Sequence, residues 1–99
     1  MNELLRVRAQ LRLLTEAEGG KRTPIASGYR PNHNFAGPEN RSMCVGQIDL
    51  MYRERLNPGE TAVVSITFQP SSALPKSLQP GRSWRVQEGA RLVGIATIE

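Results

Sequence analysis

Leu5-Arg6-Val7-Arg8-Ala9-Gln10-Leu11-Arg12-Leu13 alternates without a break, apolar at the odd positions and mostly basic at the even ones. A period of two puts Leu5, Val7, Ala9, Leu11 and Leu13 on one face of an extended chain and Arg6, Arg8, Gln10 and Arg12 on the other. A helix would scatter both sets around its circumference, so the stretch predicts a strand with one buried side. The pattern returns at 62–68, where Ala62, Val64, Ile66 and Phe68 alternate with Val63, Ser65 and Thr67 in a β-branched run. It returns again from Cys44, with Cys44, Gly46, Ile48 and Leu50 opposite Val45, Gln47 and Asp49. Near the end, Trp84 and Val86 alternate with Ser83, Arg85 and Gln87, and a last apolar run covers 92–98. Residues 26–30 lead into Pro31, after which His33 to Phe35 read as a strand edged by the proline.

The connections carry turn chemistry. Residues 15–24 hold Gly19, Gly20 and Pro24, residues 36–42 hold Gly37 and Pro38, and Pro58-Gly59 marks the turn before residue 62. Residues 71–81 form the longest irregular connection, which predicts a functional or mobile loop. Glu88-Gly89-Ala90-Arg91, with glycine first of two central residues, predicts a type II′ hairpin. About six short strands without a convincing helix make the expected fold class all-β. A small six-stranded antiparallel barrel of Greek-key type is preferred to an open sheet, because closure leaves no exposed edges.

Composition narrows the function. The 99 residues, with a formal charge of +4, are read as a single domain over 1–99. Eleven of the thirteen basic residues are arginine, whose planar fork suits phosphate or carboxylate, although interspersed acids make the charge permissive rather than compelling. Asp49 is the sole aspartate, and His33 and Cys44 are the sole histidine and cysteine. These are too few for a clustered carboxylate pair, a cation cage or a zinc site, and Cys44 reads as a small core residue. No phosphate-binding glycine loop precedes Lys21, because Arg22 follows it and no glycine stands at the required spacing. The expectation is a non-enzymatic protein with no cofactor, no metal and no nucleotide bound by this chain. No apolar run is long enough for a membrane helix and no secretory leader is apparent, which predicts a cytoplasmic location.

Several short blocks share an order and spacing. They are Glu18-Gly19-Gly20-Lys21-Arg22-Thr23-Pro24, then Gly28-Tyr29-Arg30-Pro31 with Phe35, then Pro58-Gly59-Glu60, and finally Gln87-Glu88-Gly89-Ala90-Arg91 with Val93-Gly94. In these blocks the chain, from about Leu5 to Ile98, resembles the C-terminal β-barrel, the third domain, of bacterial elongation factor Tu. The resemblance implies a six-stranded antiparallel barrel that contacts the T-stem backbone of aminoacyl-tRNA and packs on protein partners. By the same resemblance the RNA contacts fall on Lys21, Arg22, Asn32, Glu88 and Gly89, while Arg30 and Tyr29 are candidates for a partner interface. Cationic side chains and turn N–H groups grip RNA backbone by shape rather than by sequence.

The chain departs from the family pattern at Gln87 and Ala90 in the last hairpin, at Val45 where a T-stem threonine is usual, and at Gln69. Its loops at 36–44 and 70–81 are longer. The GTPase activity of the whole factor is not implied, because no such domain accompanies the barrel in this sequence. The expected function is a translation-related module that binds tRNA or other structured RNA weakly. The alternative is a module that docks on a protein of the translation apparatus.

Overall fold

A computed structural model describes residues 3–99. Six strands are present: β1 (Leu5–Leu13), β2 (Asn32–Asn34), β3 (Cys44–Leu50), β4 (Thr61–Phe68), β5 (Ser83–Glu88) and β6 (Arg91–Ile98). All neighbouring pairs are antiparallel and the sheet closes in the order β1-β4-β3-β2-β5-β6. The first four strands lie in the spatial order of a Greek key. One 3-10 turn, Glu16–Glu18, interrupts the β1–β2 connection.

Alternation placed most of the core correctly. Ala9, Leu11 and Leu13 of β1, Ile48 of β3, Val64, Ile66 and Phe68 of β4, and Trp84 and Val86 of β5 are all buried in one cluster. Each barrel end is then plugged by residues outside the strands. At one end Ile25 and Leu56 exchange backbone hydrogen bonds of 2.9 and 3.0 Å, and both side chains are buried. At the other end Ala73, Leu74 and Leu78 of the long β4–β5 connection pack against the core, and Gly81 N–H donates to the Ile98 carbonyl. That connection is therefore a plug for the barrel mouth.

Three expectations need correction. Leu5, assigned to the buried face, is 40% exposed, because it lies at the barrel mouth where the inward side no longer faces packed neighbours. Gln87, assigned to the polar face, is buried there, because Asn34 and the β2–β3 loop lie over it beside Arg85, which donates to its side-chain oxygen. The strand expected at His33 to Phe35 runs over Asn32–Asn34 instead, and ahead of it only Tyr29 bridges to Ile48.

The shortest strand completes the barrel. β2 has three residues and pairs with β3 through Asn32 and His33 only, whereas β1 and β4 are in register over eight pairs. Its central residue, His33, is fully buried. The Trp84 indole N–H donates to His33 Nδ1 at 2.9 Å, which leaves the proton on Nε2 to donate to the Gly46 carbonyl at 3.1 Å. One neutral imidazole thereby joins β2 to both its neighbours, with its ring edge-on to Phe68 at 4.8 Å. Burial holds the His33 pKa down to about 4.

Two outcomes follow for stability. A folded pKa near 4 against an ordinary 6.5 means that the unfolded chain binds the extra proton first. The stabilisation is complete above pH 6.5 and is lost as pH falls through about 4, with about 3 kcal/mol at stake. Urea unfolding across this window should show the decline, and His33→Gln should flatten it. Gly46 allows no side chain, since a Cβ there would stand 2.6 Å from the Phe68 ring and 2.9 Å from His33 Nε2. Gly46→Ala should cost about 1–3 kcal/mol in the same assay, and an unchanged midpoint would contradict this packing.

Candidate RNA-facing end of the barrel

The loop from Thr15 to Arg22 is shaped before it meets anything else. Thr15 caps the 3-10 turn by accepting from Glu18 N–H, and the Glu18 carboxylate accepts from Thr15 N–H at 2.9 Å. This backbone bond, together with the Arg12 guanidinium at 2.7 Å, holds the Glu18 pKa down to about 2. The paired glycines then do different jobs. Gly19 ends the turn at φ +90°, while Gly20 packs so closely on Leu14 that a Cβ would lie 2.5 Å from its carbonyl oxygen. Lys21 and Arg22 leave this anchored loop in opposite settings.

Lys21 is drawn in. Its side chain is only 16% exposed, its ammonium pairs with Glu88 Oε2 at 2.8 Å, and it lies 5.3 Å from the centre of the Tyr29 ring. The Tyr29 hydroxyl donates to the same oxygen at 2.5 Å. Thus three residues expected from sequence, Lys21, Tyr29 and Glu88, meet at one point although they lie on separate segments. The Lys21 and Tyr29 hydrogen bonds, in that order, lower the Glu88 pKa, with Arg91 adding its charge. Burial, followed by the bond to Glu88, pushes the Tyr29 phenol up.

Arg22 is turned out, with its side chain 85% exposed and paired to Glu16. It shares a depression of about 230 Å³ with Gly19, Gly20 and Arg91. Arg91 faces Glu88 across the hairpin, whose tip glycine, Gly89, has φ +59°. Gly89 is the tip's sole left-handed residue, which agrees with the expected type II′ turn. Sequence reasoning left Arg91 out of the expected contacts, although its place two residues after the hairpin glycine was a usable signal.

The remaining expected residues lie apart. Asn32 is half-buried on β2 between Gln87 and Val45. Arg30 follows Tyr29 in an extended segment, and it lines the outer sheet face with Gln47 and Thr67 while Tyr29 reaches Glu88. A buried polar cluster was also missed. Asn34 Nδ2 donates to Gln87 Oε1 at 2.8 Å and to the Gly37 carbonyl at 2.7 Å, while Asn34 Oδ1 accepts from Asn40 at 2.8 Å. It fastens the β2–β3 loop over β5 and brings residues 38–41 beside Gly89 and Ala90. His33 and Cys44 form no reactive pair. The ring is committed to Trp84 and Gly46, and the thiol, raised by burial, lies 4.0 Å from the His33 backbone oxygen.

The Tyr29 setting has a direct readout. Its phenol should stay protonated at about pH 11, where an ordinary tyrosine has ionised. In a Tyr52→Phe background, which leaves Tyr29 as the sole tyrosine, absorbance near 295 nm should therefore not rise until the fold is lost. Because the phenol pKa is raised by folding, this contribution is complete below pH about 10 and is lost above it. Normal phenolate formation in the folded state would show that Glu88 does not accept from Tyr29.

No protein-family profile matches the chain. It is 34% identical over 93 residues, 94% of its own length, to elongation factor Tu 2 of Streptomyces avermitilis, and spans 22% of that protein. The matched length is nearly the whole of the closed barrel, including the loop and hairpin just described. By sequence and architecture together, the chain is an elongation factor Tu-like β-barrel domain.

Proposed function

We propose that this translation-factor-like barrel binds the backbone of structured RNA weakly and without catalysis, at the end that carries Lys21, Arg22, Glu88 and Gly89. The observation that supports it is the outward Arg22 guanidinium beside Arg91 and the glycine backbone of the Gly19-Gly20 turn. Two guanidinium forks suit phosphates and 2′-hydroxyls, while the Gly19 and Gly20 N–H groups are already spent on the Glu16 and Thr15 carbonyls. Lys21 acts here through Glu88, holding the hairpin against the loop. Because Arg22 must leave Glu16 to reach a phosphate, binding is weak.

A second reading is docking on a protein of the translation apparatus. It draws on the same ion pairs, since Lys21–Glu88 and Arg22–Glu16 leave this end nearly self-neutralised. A stoichiometric protein that stays bound after nuclease treatment would favour it.

Fluorescence anisotropy with a labelled RNA hairpin tests the first reading. About two phosphate contacts give a roughly tenfold loss of affinity between 50 and 200 mM salt, and Arg22→Gln with Arg91→Gln should remove most of that dependence. Binding insensitive to salt, or none at about 100 µM protein, would overturn it.

A further inference from the structure

A relay of buried amides runs from the hairpin tip into the β2–β3 loop. The Gln87 side chain donates to the Gly89 carbonyl at 2.9 Å and accepts from Asn34 Nδ2 at 2.8 Å. Asn34 Oδ1 in turn accepts from Asn40 Nδ2 at 2.8 Å. Asn40 spends the rest of its amide on Ser42, accepting from the Ser42 N–H at 3.1 Å and donating to the Ser42 carbonyl at 2.9 Å. Asn34 and Gln87 are both buried, and no buried side-chain polar atom among the described residues lacks a partner. A polar network satisfied in this way holds a single geometry.

The side chain that the relay displays is Arg41. It sits between Asn40 and Ser42, the two ends of the locked turn, where it is exposed and lines a depression of about 310 Å³ with Gly89 and Ala90. Among the described residues its guanidinium forms no ion pair, in contrast to Arg22, which is held by Glu16. The hairpin contributes to two depressions, Gly89 and Ala90 to this one and Arg91 to the one that holds Arg22. Glu39 is the acid of the Arg41 depression; it is exposed and does not pair with Arg41.

We propose that Arg41 supplies a further phosphate contact for RNA bound at the hairpin end, and that the Asn40–Asn34–Gln87 relay positions it against Gly89. The inference rests on the RNA reading above and extends it from the 15–22 loop across the hairpin to the β2–β3 loop. Arg41 gives up no internal partner to meet a phosphate, whereas Arg22 must first leave Glu16, so Arg41 contributes more to affinity than Arg22 does. A guanidinium fork on a fixed turn loses little freedom on binding. Glu39 works against the contact by repelling the same phosphates.

Anisotropy titrations of the full chain with the labelled RNA hairpin, at 50 and 200 mM salt, test it. About three phosphate contacts give a roughly fortyfold loss of affinity over that range, against roughly tenfold for two. Arg41→Gln should bring the loss down to about tenfold, and at about 100 mM salt it should weaken binding more than Arg22→Gln. Glu39→Gln should strengthen binding. Asn40→Ala keeps the charge and removes the lock, so it should weaken binding in the wild-type background and have no further effect once Arg41 is glutamine. Circular dichroism reports whether each variant keeps the barrel. Salt-dependent binding that Arg41→Gln leaves unchanged would overturn this inference alone, and additive effects of Asn40→Ala and Arg41→Gln would remove the positioning role. An equal response to a polyglutamate peptide would assign Arg41 to a protein partner and contradict the proposal. Absence of RNA binding by the unaltered chain would sink it together with the reading on which it rests.

Discussion

The barrel closes through one imidazole. A six-stranded sheet needs every strand paired on both sides, and β2 offers only three residues with which to do it. A pairing so short leaves few ladder bonds to resist opening, so the side-chain bonds of His33 to Gly46 and Trp84 matter more here than anywhere else in the ladder. The arrangement works only for neutral histidine in one tautomer, and only if Gly46 lets the Phe68 ring come close. A core with a single aromatic cluster, Phe35, Phe68 and Trp84 around His33, is thus gathered at the seam rather than spread around the barrel.

What the seam holds in place is the candidate functional end. Tyr29 precedes β2 and Glu88 ends β5, the two strands that His33 and the Asn34–Gln87 bond tie together. Lys21 joins them from a loop fixed independently by its capping box and by the close packing of Gly20 on Leu14. Lys21, Arg22 and Glu88 on this end are paired within the fold, whereas Arg91 is not in an ion pair among the described residues. A partner at this end therefore exchanges internal ion pairs for external ones.

The outer face of β5 connects the covering loop to this end. The extra residue of the β5–β6 bulge is Val93 on β6, and Gln87 stays on the Arg85 side of β5, where its side chain meets Asn34 and the Gly89 carbonyl. The β2–β3 loop is fastened by the same cluster and so covers β5 beside the hairpin. Loop length and hairpin chemistry are in this way one feature of the fold, although the sequence separates them by some forty residues.

The strands, the barrel and most of the core were legible because alternation is a local property: each residue's face follows from its neighbour's. The loop motif and hairpin were legible for the same reason, as glycines mark backbone that must turn left-handed or approach closely. Local pattern failed where the cause was distant. Leu5 is exposed because of where the barrel ends, Gln87 is buried because Asn34 and the β2–β3 loop lie over it, and His33 serves as a core bridge because Trp84 and Gly46 arrive beside it from other strands. The sequence by itself therefore determined the strands, their inward faces and the identity of the turn residues. Only the tertiary structure decided which charges are paired, since an ion pair such as Lys21–Glu88 joins residues that closure of the barrel alone brings within reach.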